Sequence, residues 1–310
     1  MGAGQTYEVP SAAAANVRDG DTVAISPGTY FDCALWHASR LTIAATGPDV
    51  VITDRACAGK AAFVISGDHV VVRGLVFTRI RVPDGNGAGI RAEGNDLTVE
   101  DSRFINNEVG ILAGGPGGSL RITGCTFDAD GASLDGRPTH GVSAGTLALL
   151  RIDHSTFQQA RGGDHIASAA LTTELVGNRL ADEGGAMTGP LVSVYGGALT
   201  LDGNTVELAA GSADRPGAVL VTGGASSIQV HGNTLVEPRG NVPLLRNWTG
   251  LAVSEGANTV PANALAVSDS AATYHRLRAR LAIWRNQARA ILASARHHVA
   301  ELARKLRLIS

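Results

Sequence analysis

The sequence predicts an all-β solenoid, a right-handed parallel β-helix, and three observations carry that prediction. An eight-residue phrase recurs along the chain, clearest at Leu199–Val206, reading apolar, x, apolar, x, x, small-polar, x, apolar. Its sixth residue falls at Leu75, Ser102, Cys125, Ser155, Asn178, Asn204, Asn233 and Asn258, at spacings of 27, 23, 30, 23, 26, 29 and 25 residues. A sustained period of that size marks a solenoid, in which each repeat buries its apolar face only against its neighbours. The apolar slots take Val, Ile and Phe as readily as Leu (Phe77, Phe104, Phe127 and Phe157 share one slot), which suits pleated strands. No helical period appears between residues 20 and 260. A leucine-rich repeat has a similar phrase and period. It would be richer in leucine, with a helical segment between phrases, where this chain has short pieces after glycine such as Gly89-Ile-Arg91 and Gly110-Ile-Leu112. Several short strands per coil, linked by glycine-rich turns, give a parallel β-helix, and parallel crossovers are right-handed.

Taken in order, residues 1–18 form the N-terminal cap. Residues 8–18 read as a short alanine-rich helix with Ser11 as its N-cap, placed to shield the first open coil. The coils occupy 19–260. Asn178, Asn204, Asn233 and Asn258 stand at one slot, where the preferred reading is a stacked amide ladder at a tight turn rather than a row facing a ligand. Residues 261–273 are a linker. Residues 274–310 form one basic amphipathic helix, with Leu277, Leu281, Trp284, Ala288 and Ile291 opening a stripe stepped by three or four. At 1.5 Å per residue it is about 55 Å long. The stripe must be buried against the acidic body, against a second copy, or on an anionic membrane. The membrane surface is the weakest of the three, because an alanine-bearing seam suits helix packing.

The formal net charge of −2 hides an asymmetry. Residues from Tyr274 onward carry nine Lys+Arg against one acid, leaving 17 basic and 27 acidic residues before them. An acidic body with a basic tail makes two separate statements about partners. No apolar run reaches membrane-spanning length, and no P-loop, zinc spacing or nucleic-acid motif is present. Met1–Thr6 has neither a charged n-region nor an apolar h-region, so either the chain stays in the cytoplasm or a signal precedes the sequence read here. Cys33 and Cys57 lie 24 residues apart, one coil period, so a disulfide is favoured over two buried thiols; that favours the periplasm or secretion. Cys125 reads as a small core residue.

Asp19-Gly-Asp-Thr-Val-Ala-Ile-Ser-Pro-Gly-Thr-Tyr30, following a small helix, resembles the opening of the pectin-lyase-like β-helix superfamily. Asp32-Cys-Ala-Leu-Trp36, Cys57-Ala-Gly-Lys60 and the segment Asp84–Gly94 resemble a bacterial subgroup of secreted right-handed β-helix repeat proteins. The resemblance spans residues 5–260 and implies the fold strongly and an activity weakly, since one fold hosts many chemistries. Lyases of that superfamily remove a proton beside a sugar carboxylate with Lys or Arg as base, and a Ca²⁺ or an arginine neutralises the carboxylate. The resemblance therefore points to an acidic polysaccharide as partner. Coil stacking can bring Arg91, Asn107, His140 and Asp164, with His165, into one binding strip; Asn106 and Arg161 are further polar candidates. Arg91, Glu108 and His140 are the candidates for catalysis.

The departures weigh against catalysis. Where the resemblance implies a lysine and an arginine, positions 167 and 169 hold alanine, although Ser168 is kept. Gly141 and Ser143 stand where Asn and Tyr are implied. The expected function is thus an extracytoplasmic scaffold or binding protein without lyase activity or cofactor, docking to a protein partner or to itself through Tyr274–Ser310. The alternative is a polysaccharide lyase or epimerase, and Ca²⁺ enters only with that alternative.

Overall fold

Each coil contributes three short strands. In one coil these are Leu97–Glu100, Arg103–Ile105 and Val109–Ala113; in the next, Ser119–Thr123, Thr126–Asp128 and Val142–Ala144. The computed structural model describes residues 1–133, 136–182, 189–209, 215–236 and 242–269. The helix expected over 274–310 lies outside them. The first unit, Met1–Ser268, holds the solenoid, and the second begins at Asp269. The described strands pair in parallel with the equivalent strand one coil away, and the second strands alone form a nine-stranded sheet, so the solenoid has about nine turns. The first and third strands merge into an 18-stranded sheet through Val192–Asp202 and Val219–His231, which run around a corner.

The recurring phrase determines the register. Its middle apolar position stacks Val72, Val99, Ile122, Ile152, Leu175, Leu201 and Val230 in one interior row. Alternate residues point into the coil because side chains on a strand alternate faces. Beside that row Phe77, Phe104, Phe127 and Phe157 stack with centroid separations of 5.2, 4.8 and 4.5 Å. Each such pair adds about 0.5–1.5 kcal/mol beyond area burial.

The small-polar slot is a hydrogen-bonded ladder along its whole length. The backbone N–H of each slot residue donates to the slot side chain of the following coil: Leu75 to Ser102 Oγ, Ser102 to Cys125 Sγ, Cys125 to Ser155 Oγ, and Ser155 to Asn178 Oδ1. The four asparagines continue it, with N···Oδ1 distances of 2.9, 2.9 and 3.0 Å. Cys125 is therefore a rung that accepts one backbone N–H, not merely a small core residue. Coil closure leaves an amide at this turn without a strand partner, and a buried orphan amide is costly. A Ser, Cys or Asn side chain supplies the missing acceptor.

The N-terminal helix spans Pro10–Ala14, shorter than the expected 8–18. Val9 is its N-cap and makes no side-chain capping bond, while Pro10 takes the first helical position that suits it. Ser11 is inside the helix and gives its backbone N–H to Asp32 Oδ2 at 2.7 Å. Strand pairing continues past Val260 to Val267–Asp269, within the stretch expected to be linker.

Cys33 and Cys57 form the expected disulfide, Cα atoms 5.4 Å apart. Closing a loop of 24 residues removes denatured-state entropy worth about 3 kcal/mol. Cys33→Ser should lower unfolding free energy by about that amount in a urea titration, and wild type with reductant should match it. Asn247-Trp-Thr249, which fits a glycosylation sequon, holds a buried asparagine whose Nδ2 donates to Leu251 O and whose Oδ1 accepts from Thr249. The structure gives that tripeptide a turn role.

Candidate active site on the third sheet

Of the expected strip, Arg91 lies in the outward row formed by the third strands. The register of that row runs Arg91, Leu112, Ser143, Ala167, then Ser193, Leu220 and Arg246. Ala167 thus sits in the middle of the row, 5 % exposed. At about 4.8 Å per strand, Arg91 and Arg246 stand six steps or about 29 Å apart. Arg91 Nε lies 3.8 Å from Glu93 Oε1, which also takes Lys60 Nζ at 2.5 Å. Arg246 donates to Pro216 O and Ser268 Oγ. The row is neutral between these two cations, and beyond Arg91 it continues through Val64 to Leu35.

The chemistry of the centre lies at the edge where the third strands begin. Gly163 brings two coils together there: a Cβ on it would sit 1.4 Å from Thr139 O, so only glycine allows Arg161–Asp164 to lie flush on the previous coil. Gly141 is tight in the same way, 2.8 Å from His165 O. Asp164 is thereby laid against His140. Burial is the main cause holding the His140 imidazole below its ordinary range, and burial raises the Asp164 carboxyl above its own. Each charge partly offsets the other's shift. Among the described residues, the buried His140 Nδ1 has no hydrogen-bond partner. One coil further, Ser193 hydrogen-bonds the Asp164 side chain and also Tyr195, a half-exposed residue whose hydroxyl is raised by burial and then by the Asp164 charge. Arg215 adds its field to Asp164 while forming a fully buried ion pair with Asp182.

The strip expected from the sequence divides by position. His140 and Asp164 come together on adjacent coils. His165 points inward, its Nε2–H donating to Ala181 O at 2.9 Å, its pKa lowered to about 4 by burial. Glu108 is fully buried, and its Oε2 accepts Val82 N–H at 3.0 Å and Gly87 N–H at 2.7 Å, closing the 82–87 loop. Arg91 lies two strand steps from Ser143 along the row. Ser193, Tyr195 and Arg215 carry no phrase signature and were not singled out by sequence reasoning; Tyr195 is one of only four tyrosines, the single signal available for it.

Asn107 belongs to a second ladder at the corner between second and third sheets. Its Oδ1 accepts Ile80 N–H at 3.1 Å, its Nδ2 donates to Phe77 O at 3.0 Å, and its N–H donates to Asp130 Oδ1 at 2.6 Å. Asp130 ends the run with its Oδ2 buried and unpartnered. Burial pushes its carboxyl from 3.8 up to about 8. The folded state therefore keeps a proton that the unfolded chain releases near pH 4. Stability then falls as pH rises from about 4 towards 8, by a few kcal/mol at most. Asp130→Asn should remove that slope and raise the neutral-pH melting temperature, as read by calorimetry across pH.

A Ca²⁺ requires six to eight oxygen ligands, several of them carboxylate. Here Asp164 is a single carboxylate under burial, and Asp182 is tied to Arg215. Among the described residues no group of three or more His, Cys, Asp or Glu gathers. The donor set does not fit the calcium implied by the resemblance.

Three short parallel strands per coil, closed by laddered turns, decide the fold. The chain is a parallel β-helix. No protein-family model matches the sequence, and no curated protein matches it. Among solved structures, this β-helix is similar to the A-module of the mannuronan C-5 epimerase AlgE4 of Azotobacter vinelandii, at 12 % identity and a TM-score of 0.42, covering 81 % of this chain and 89 % of that one. The AlgE6 A-module of the same organism gives 11 % identity and 0.40, covering 84 % and 93 %. An alginate lyase from Paenibacillus sp. strain FPU-7 gives 12 % and 0.34, covering 83 % and 96 %. Likenesses of this degree carry no argument about this chain.

Proposed function

We propose that this β-helix acts on an acidic polysaccharide as a lyase or epimerase, with His140, Asp164 and Tyr195 as its working groups. One observation carries the proposal: the His140–Asp164–Ser193–Tyr195 cluster joins three titratable side chains from three successive coils on one face. Burial favours the neutral imidazole of His140, and a turn of the ring that brings its unbonded Nδ1 to the face lets it accept a proton from the sugar carbon beside the carboxylate. Tyr195, held protonated, can return a proton to the opposite face of that carbon, or to the leaving oxygen when the glycosidic bond breaks. Asp164 positions the imidazole, and the flanking cations Arg91 and Arg246 suit a polyanion laid along the row between them. The Pro10–Ala14 helix, with Ala13 at 1 % exposure, is read as the shield of the first coil.

The scaffold reading drew on the alanines at 167 and 169 and on the tail helix. The cluster above favours turnover. Incubation with polymannuronate and polygalacturonate in D₂O separates the two, because both elimination and epimerisation load deuterium or unsaturation at the reacting carbon, read by NMR and ultraviolet absorbance. Saturable binding with neither signal returns the protein to the binding class.

A further inference from the structure

We propose that the corner formed by Arg81, Asn106 and Arg161 is an oxyanion-binding site, distinct from the His140 cluster and independent of turnover. Four successive coils turn here through one left-handed residue: Arg79, Asn106, Ala129 and Gln159 have φ between 53 and 57°. The turn throws the side chains that follow it outward at equivalent heights. Arg81 Nη2 donates to Asn106 Oδ1 at 2.6 Å and Arg161 Nη1 donates to the same oxygen at 2.9 Å. Arg161 reaches back across the intervening coil, where the turn residue is Ala129 and offers no side chain to block it.

Two guanidinium groups therefore share one neutral acceptor. Arg81 makes one further bond, Nη1 to Ile80 O at 2.9 Å. Each guanidinium has five N–H donors, so several on this pair stay unsatisfied. Elsewhere on the coils arginines meet carboxylates across adjacent strands, as Arg73 does Glu100, Arg79 does Asp54 and Arg179 does Glu207. Neither Arg81 nor Arg161 forms an ion pair among the described residues. Three acids lie near. Glu108 faces backbone amides, Asp130 is a ladder rung that holds its proton near neutrality, and Asp128 sits on the intervening strand. Burial is the main cause disfavouring the charged form of Arg81; the Glu108 charge opposes it, and the like charge of Arg161 adds to it. An anion seated between two such groups relieves their repulsion and takes up their spare donors in bidentate fashion. Arg161 is exposed and Arg81 half-buried, so the corner is open to solvent on the Arg161 side. The ligand class is a carboxylate, sulfate or phosphate group, free or borne on a sugar.

The full chain, titrated by calorimetry with sodium sulfate and separately with galacturonate at ionic strength fixed by sodium chloride, tests this. Saturable binding is expected, weakened at least ten-fold in Arg161→Gln and unchanged in Arg103→Gln, a solvent-facing control on the second sheet. Binding of both ligands identifies a sugar carboxylate as an occupant; binding of sulfate alone identifies a tetrahedral anion. Because Arg161 is exposed, its glutamine variant should melt no lower than wild type in anion-free buffer. Equal affinity in Arg161→Gln and wild type, or no saturable heat from either ligand, overturns the proposal. Neither result touches the turnover assay, which reads the His140 cluster alone.

Discussion

His140→Ala should lower the rate of solvent-deuterium incorporation into an accepted polyuronate by about 10²–10⁴-fold, the usual yield of a positioned general base. The Michaelis constant should change little, because the imidazole contacts the reacting carbon and not the length of the polymer. Tyr195→Phe should give a loss of the same order, and combining the two should cost far less than the product of the single losses, since the pair acts as one unit. The pH dependence sharpens the expectation. Burial pulls His140 below its ordinary range, so it stays unprotonated, and active, into mildly acidic solution. Burial and the Asp164 charge hold Tyr195 protonated past its ordinary value of 10.0. Activity should therefore show a broad plateau through neutrality, falling on the acid side as His140 gains its proton and on the alkaline side as Tyr195 loses its own. A single sigmoid centred on an ordinary histidine, with Tyr195→Phe fully active, would falsify the assignment of both roles.

Breaking a central rung of the asparagine ladder should produce the largest loss of stability. Asn204 Oδ1 accepts the N–H and the Nδ2 of Asn178, while its Nδ2 donates to Leu175 O and Asn233 Oδ1. All of these groups are buried. Asn204→Ala leaves the buried Asn178 N–H without its acceptor and removes three further hydrogen bonds, those to Asn178 Nδ2, Leu175 O and Asn233 Oδ1. At about 1–3 kcal/mol for the orphaned amide and about 1 kcal/mol for each further bond, partly relieved by relaxation, a loss of about 3–5 kcal/mol is expected. Asn258→Ala is the control. It stands at the open end of the ladder, half-exposed, where water can replace the side chain, and should lose about 1 kcal/mol. Urea midpoints should shift accordingly with m unchanged. Equal losses at both positions would mean that the rungs act as isolated turn residues and not as a continuous chain.

The interior was legible from the residues alone because its signal is local and repeated. Each copy of the phrase places apolar side chains at the same three offsets, and a parallel register stacks like on like, so Val72 above Val99 above Ile122 follows from counting. Cys33 and Cys57 were legible for the same reason, being one period apart. The linker boundary was not, because Leu265 and Ala266 pair with the preceding coil through backbone carbonyls, which leave no trace in composition.

The candidate site was legible only in part. His140 and Asp164 could be named as polar residues near a coil edge, and Asn107 and Glu108 looked equivalent to them. The solenoid separates the two pairs by direction: Asn107 and Glu108 turn their side chains to buried backbone amides, while Asp164 meets His140 on the face. The connection from second to third strand holds three residues at 106–108 and thirteen at 129–141, so no fixed offset relates side chains on successive loops. Sequence alone determined the coil, its interior rows, its ladder and its cross-link, since these depend on period-two alternation repeated at a near-constant interval. The tertiary structure alone decided that Tyr195, Ser193 and Arg215 join Asp164, and that Arg161 crosses a coil to meet Arg81. Those contacts depend on loop paths whose lengths vary, and only the closed coils bring their ends to one place.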